Sequence, residues 1–144
     1  MKSRAAVSSK APRCVLDSGG LTALLGRSQH ARAWYRWIVE HHGQIFVPTP
    51  ILVETTTGDG ARDAEANRVL SVLSSIGARI VAPDEETARR AGRMRFAALL
   101  DDGIDALVAA TAAGDGSPCV LLTTDVGDLS RLLAKEASVV VVGV

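Results

Sequence analysis

Five short apolar runs, each too brief for a helix and each separated from the next by helical patterns, decide what this chain can fold into. They cover 13–17, 44–47, 78–82, 119–123 and 139–142. Their apolar character is continuous rather than alternating. That marks strands covered on both faces, the habit of a parallel sheet between helices. Helical spacing over 21–25, 31–42, 51–56, 63–75, 84–100, 103–113 and 125–134 fills the intervals. The order β-α-α-β-α-α-β-α-α-β-α-β predicts an α/β three-layer sandwich with a short central parallel sheet.

The punctuation agrees with this order. Gly43 and Gly77 are natural helix stops. Thr49-Pro50 reads as an N-cap followed by Pro at the first helical position. Asp84, Glu85 and Glu86 sit near the positive end of their helix. Residues 1–12 are polar and basic (Lys2, Arg4, Lys10) and read as a loose leader before one domain over 13–144.

Length and composition narrow the function. The 144 residues suit one domain, and 47 % hydrophobic with 3 % aromatic residues calls for an aliphatic, Ala-rich core. No run approaches the ~18 apolar residues of a membrane helix, and the leader lacks the apolar stretch of a secretory signal, so a cytoplasmic protein is expected. Cys14 and Cys119 are too few for a metal knuckle or a disulfide scaffold and are expected as reduced, buried thiols. The formal charge is zero. Thirteen of the sixteen cations are nevertheless Arg, the residue suited to phosphate.

The acids point to the chemistry. Ligands of an open parallel sheet bind at the carboxyl ends of its strands. Asp17 closes the first strand and Asp125 follows the fourth by one residue. Glu54 lies one turn into the helix after the second strand, and Asp105 in the first turn of the Ala-rich helix. Converging carboxylates repel one another unless a hard divalent cation neutralises them. Such a cation activates water and stabilises a phosphate under in-line attack. The sequence carries no nucleophile triad, Walker A or dinucleotide fingerprint. Metal-assisted phosphodiester hydrolysis is the chemistry these residues best support.

Four segments in order then carry a resemblance. They are Val15-Leu-Asp17-Ser18 with Leu21-Thr-Ala-Leu24, Pro48-Thr-Pro-Ile-Leu-Val-Glu54, Gly103-Ile-Asp105-Ala-Leu-Val-Ala-Ala-Thr-Ala112 and Leu121-Leu-Thr-Thr-Asp125-Val-Gly-Asp128-Leu. Together they resemble the PIN-domain ribonucleases, most closely the VapC-type toxins of bacterial toxin–antitoxin pairs. The resemblance implies an acid quartet at Asp17, Glu54, Asp105 and Asp125, with Asp17, Asp105 and Asp125 holding Mg²⁺ (or Mn²⁺). Thr123, Ser18 and Asp128 would orient those ligands. It further implies an RNA substrate cut to a 5′-phosphate and 3′-hydroxyl, a protein antitoxin, and a homodimer. Ser18-Gly19-Gly20 is richer in Gly than the family's usual turn.

Other features are weighed beside these. Trp34 and Trp37 fit a core or subunit interface, and their helix is a candidate seat for the antitoxin. His41-His42 read as a solvated pair at a helix end. The Arg89, Arg90, Arg93 and Arg95 cluster reads equally as a solvated face or an RNA contact. Two competing functions are a catalytically inert PIN-like scaffold and a phosphoacceptor signalling domain. The latter needs an acidic pair after the first strand and an acceptor Asp after the third.

Overall fold

A computed structural model describes residues 11–26 and 28–144. Of the expected leader over 1–12, residues 1–10 lie outside the described residues. Pro12 already joins the sheet, its carbonyl accepting from the Gln44 N–H at 2.9 Å.

Five parallel strands form one sheet: β1 (Arg13–Leu16), β2 (Gln44–Pro48), β3 (Arg79–Val81), β4 (Cys119–Thr123) and β5 (Val139–Gly143), in the order β3-β2-β1-β4-β5. Register runs Cys14↔Ile45 on one side of β1 and Leu16↔Leu122 on the other. Between β1 and β2 lie α1 (Ser18–Leu25) and α2 (Gln29–Glu40). Between β2 and β3 lie a 3₁₀ turn (Thr49–Ile51), α3 (Leu52–Thr55) and α4 (Gly60–Ser75). The chain then reverses. It passes through α5 (Glu85–Ala98) and α6 (Gly103–Ala113) to β4, and through α7 (Val126–Leu132) to β5. Right-handed crossovers put α5, α6 and α7 on the face opposite α1 to α4, giving three layers. The reversal falls between β1 and β4, so the fold has its switch point where Asp17 and Asp125 follow their strands.

The core is aliphatic, as composition requires. Val15, Leu16, Leu121 and Leu122 of the central strands are fully buried, and α6 buries Ala106, Val108, Ala109, Ala110, Ala112 and Ala113 among the sheet, α5 and α7. Cys14 and Cys119 are buried free thiols on adjacent strands, and burial pushes them up to about 12 and about 11.

Several boundaries differ from expectation, each for a local reason. Thr49 caps no helix: Pro48 precedes a 3₁₀ turn that has no side-chain cap. Helix α4 starts at Gly60 rather than 63, because the Asp59 carboxylate accepts from the N–H groups of Ala61 and Arg62 (3.0 and 3.4 Å). Helix α5 stops at Ala98, where Leu99 turns left-handed at φ 55°. Trp34 is partly buried against the core, as its spacing suggests, whereas Trp37 stands outside it. Trp37 is 41 % exposed, the rings meet edge-on at 5.9 Å, and both line an apolar groove with Val120. His41 does face the helix end, its Nδ1 2.8 Å from the Trp37 carbonyl.

The Gly-rich turn is explained by packing. A Cβ on Gly20 would lie 2.2 Å from the Leu122 carbonyl oxygen, and one on Gly19 would lie 2.2 Å from Thr124 Oγ1. Helix α1 can press onto the end of β4 only without those atoms. Gly20→Ala is expected to cost about 1–3 kcal/mol in denaturant unfolding. A variant as stable as the parent would show that α1 can retreat from β4.

Candidate active site at the switch point

Asp17 caps α1 from the end of β1 and is only 6 % exposed. One carboxylate oxygen, Oδ1, accepts from the Gly20 N–H at 2.6 Å, and Oδ2 accepts from Thr123 Oγ1 at 2.5 Å. Thr123 ends β4, is fully buried, and accepts in turn from the Asp125 N–H at 2.9 Å. A continuous hydrogen-bond chain therefore ties β1 to β4 across the switch point. Burial raises the Asp17 carboxyl above its usual range, the bonds from Thr123 and Gly20 pull it back, and the Asp125 charge raises it again.

Asp105 stands half-buried in the first turn of α6. The α6 cap is taken by Asp102, which accepts from the N–H groups of Ile104 and Asp105 (2.9 and 3.0 Å). The Asp105 carboxylate is thus left for another role. Burial first, then the charges of Asp102, Asp17, Glu54 and Asp125, push it up to about 6. Asp125 occupies the cap position of α7 without capping it. One turn on, Asp128 joins Asp105 and Asp125 so that one oxygen from each lies within 4.8 Å of the others. Glu54 comes from α3 on the far wall and is exposed.

Asp17, Glu54, Asp105, Asp125 and Ser18 line one open cavity of about 830 Å³. All four expected acids thus share it. Asp128 borders it through the acidic trio, and Thr123 lies beneath, holding Asp17. Three charged lining residues, Arg62, Glu65 and Asp102, were not singled out from the sequence. Among the described residues Arg62 is the one cation lining the cavity, and nothing in its spacing distinguished it from the other arginines. The donor set is all oxygen, close-set and short of positive charge, which fits a hard divalent cation with open positions.

A model of the PIN domain matches residues 14–132. The chain belongs to the PIN-domain family. Similar solved structures agree on the fold. VapBC2 from Rickettsia felis, bound to a DNA fragment from its promoter, matches at 13 % identity with TM-score 0.65, covering 92 % of this chain and 98 % of the other. DNA-bound VapBC from Salmonella typhimurium matches at 14 % and 0.66, covering 91 % and 97 %. A toxin–antitoxin complex from Klebsiella pneumoniae matches at 21 % and 0.64, covering 88 % and 95 %. No curated protein sequence matches significantly. This PIN domain thus carries its acids where the strand order reverses.

The crowding of charge gives a sign to the pH dependence. Asp105 binds its proton more tightly folded than unfolded, so its contribution to stability is full below the ordinary carboxyl value near 3.8 and is lost as pH rises through about 6. Asp105→Asn is therefore expected to raise the melting temperature of the metal-free protein at pH 7, by about 2–4 °C for each kcal/mol of repulsion relieved. Mn²⁺ is expected to raise the melting temperature of the parent and to leave that of Asp105→Asn unchanged. Scanning calorimetry with and without Mn²⁺ reads both effects. A variant that melts lower than the parent and still responds fully to Mn²⁺ would contradict them.

Proposed function

We propose that this PIN-domain protein is a metal-dependent endoribonuclease and the VapC-type toxin of a toxin–antitoxin pair. The observation that carries the reading is the acidic trio Asp105, Asp125 and Asp128. It opens onto a cavity that also holds Asp17 and Glu54, at the switch point. The residues fit Mg²⁺ or Mn²⁺, with Asp105 and Asp125 as principal ligands and Asp17 and Asp128 beside them. When bound, the cation would polarise the attacking water and neutralise charge on the phosphate.

The chain's own residues do the rest. Thr123 and the Gly20 N–H hold the Asp17 carboxylate in one orientation and favour its charged form. Glu54 has no hydrogen-bond partner among the described residues, so its carboxylate is available to take the proton of the attacking water. Arg62 supplies a guanidinium to a non-bridging phosphate oxygen. Water adds to phosphorus on one side and the 3′-oxygen leaves on the other, giving the 5′-phosphate and 3′-hydroxyl.

Three further parts belong to this reading. An antitoxin helix would seat on the apolar groove of about 490 Å³ lined by Ala33, Trp34, Trp37 and Val120. A homodimer follows from the kinship with VapC-type toxins. The cytoplasm is the compartment that suits an RNA substrate and two reduced thiols. No helix among the described residues is long and apolar enough to cross a membrane.

The phosphoacceptor reading loses its geometry here. Strand β3 is the sheet edge, two strands from β1, and the acid after it, Asp84, caps α5 by accepting from the Thr87 N–H at 2.8 Å.

Total bacterial RNA incubated with the protein is expected to be cut at discrete sites with Mg²⁺ or Mn²⁺ and left whole in EDTA. Asp17→Asn and Asp105→Asn should each lose more activity than the about 10–100-fold expected of the supporting Thr123→Val. Intact RNA under every condition, from a sample that mass spectrometry shows free of a bound partner, would overturn the proposal in favour of an inert scaffold.

A further inference from the structure

The arginines over 89–95 divide once the chain is folded. Arg89 donates to Glu85 at 2.8 Å and Arg95 to the Asp101 carbonyl at 3.3 Å, both at the open surface. Arg90 and Arg93 instead line a groove of about 380 Å³ between α5 and the end of α7, together with Arg131 and Lys135. Met94 and Leu132 supply apolar lining.

Two of these four cations are committed to the fold. Arg90 donates to the Gly114 carbonyl and to Glu136, both at 2.8 Å. Arg131 donates to the Ala98 carbonyl at 2.7 Å, which pins α7 against the end of α5. Arg93 and Lys135 have no hydrogen-bond or ion-pair partner among the described residues. With Glu136 the one acid lining it, the groove is strongly positive on a chain of zero formal charge.

Its position matters as much as its charge. Arg131 also approaches Asp128 at 3.9 Å, and an oxygen of Asp128 lies within 4.8 Å of oxygens of Asp105 and Asp125. Arg131 therefore stands between the groove and the carboxylate cluster. A nucleic-acid strand crossing that cluster meets negative potential from the acids that line the cavity and from Asp128 beside them. A metal ion offsets this only at the bond being cut, and the flanking phosphates need cations of their own.

We propose that the α5–α7 groove holds the single-stranded RNA backbone as it leaves the carboxylate cluster, with phosphates on Arg93 and Lys135. The proposal rests on the ribonuclease reading. Arg90 shapes the wall and holds Glu136 out of the path. Because the contacts are to phosphate, the groove contributes affinity and direction, with sequence choice left to bases elsewhere.

The test compares full-length parent, Arg93→Ala/Lys135→Ala and, as a charge-matched control, Arg89→Ala/Arg95→Ala. Anisotropy of a labelled oligouridylate is followed in EDTA over a series of salt concentrations. The groove variant should show a slope of log K against log salt shallower by about 0.7 for each cation removed, with affinity at low salt reduced about tenfold. The control should keep the parent slope. In Mg²⁺ the groove variant should cleave with raised KM and unchanged kcat. An unchanged slope in the groove variant, or an equal change in both variants, would overturn the groove while metal-dependent cleavage by the parent left the ribonuclease reading standing. A parent that neither binds nor cuts RNA would overturn both.

Discussion

The hydroxyl of Thr123 joins the two strands on either side of the chain reversal, and the geometry of the site depends on it. It gives its one proton to Asp17 Oδ2 and takes the Asp125 N–H on its lone pair. The end of β1 and the start of α7 are thereby held at a fixed separation. A carboxylate as buried as Asp17 is costly unless it is well hydrogen-bonded. The second bond, from the Gly20 N–H, exists because α1 can press against β4 with no Cβ in the way. Glycine turn, helix end, carboxylate and hydroxyl form one interlocked unit, and the acids around the cavity are positioned from it.

That unit sits in an unfavourable field. A formal charge of zero conceals a polar distribution: the fold collects acids on the carboxyl edge of the sheet and leaves most cations on helix surfaces. Asp105 feels four other carboxylates as well as its own burial. Without a cation the arrangement costs stability, and under the proposed function the same crowding would give a hard cation its affinity. The site opposes folding locally and the aliphatic core supplies the surplus, the usual balance between stability and a working centre.

Much of this was legible in the sequence because the signals were periodic or positional. Continuous apolar runs gave the sheet, and α6 over 103–113 and β4 over 119–123 stand where the pattern put them. Asp17, Glu54 and Asp125 could be placed on one edge because each follows a strand or lies in the helix after one, whereas Asp105, in a helix that follows another helix, reaches the same cavity only through the packing of α6. The misses are tertiary. Helix α4 begins early because of an Asp59 cap that two nearby glycines disguised. Trp34 and Trp37 have core-like spacing, yet only Trp34 packs against the core, while Trp37 is left exposed beside Val120. Arg62 in the cavity and the division of the 89–95 arginines depend on which helix lies opposite, and a single sequence does not contain that information.

Topology also separates the surfaces on which the proposed function depends. Right-handed crossovers running one way from β1 and then the other from β4 place α2 and α7 on opposite layers. The apolar groove beside α2 and the basic groove beside α7 therefore face away from each other, and the carboxylate cavity lies on the edge between them. Solved structures at 13–21 % identity keep this fold, since a parallel aliphatic sandwich asks mainly for volume and pattern. What the fold does not supply is chemistry. Here the chemistry comes from a few residues at the reversal. A protein partner on the α2 layer would leave the path from the cavity to the α5–α7 groove physically open. Inhibition by such a partner would then require that some part of it reach over the sheet edge into the cavity, where acids stand ready to receive a basic side chain.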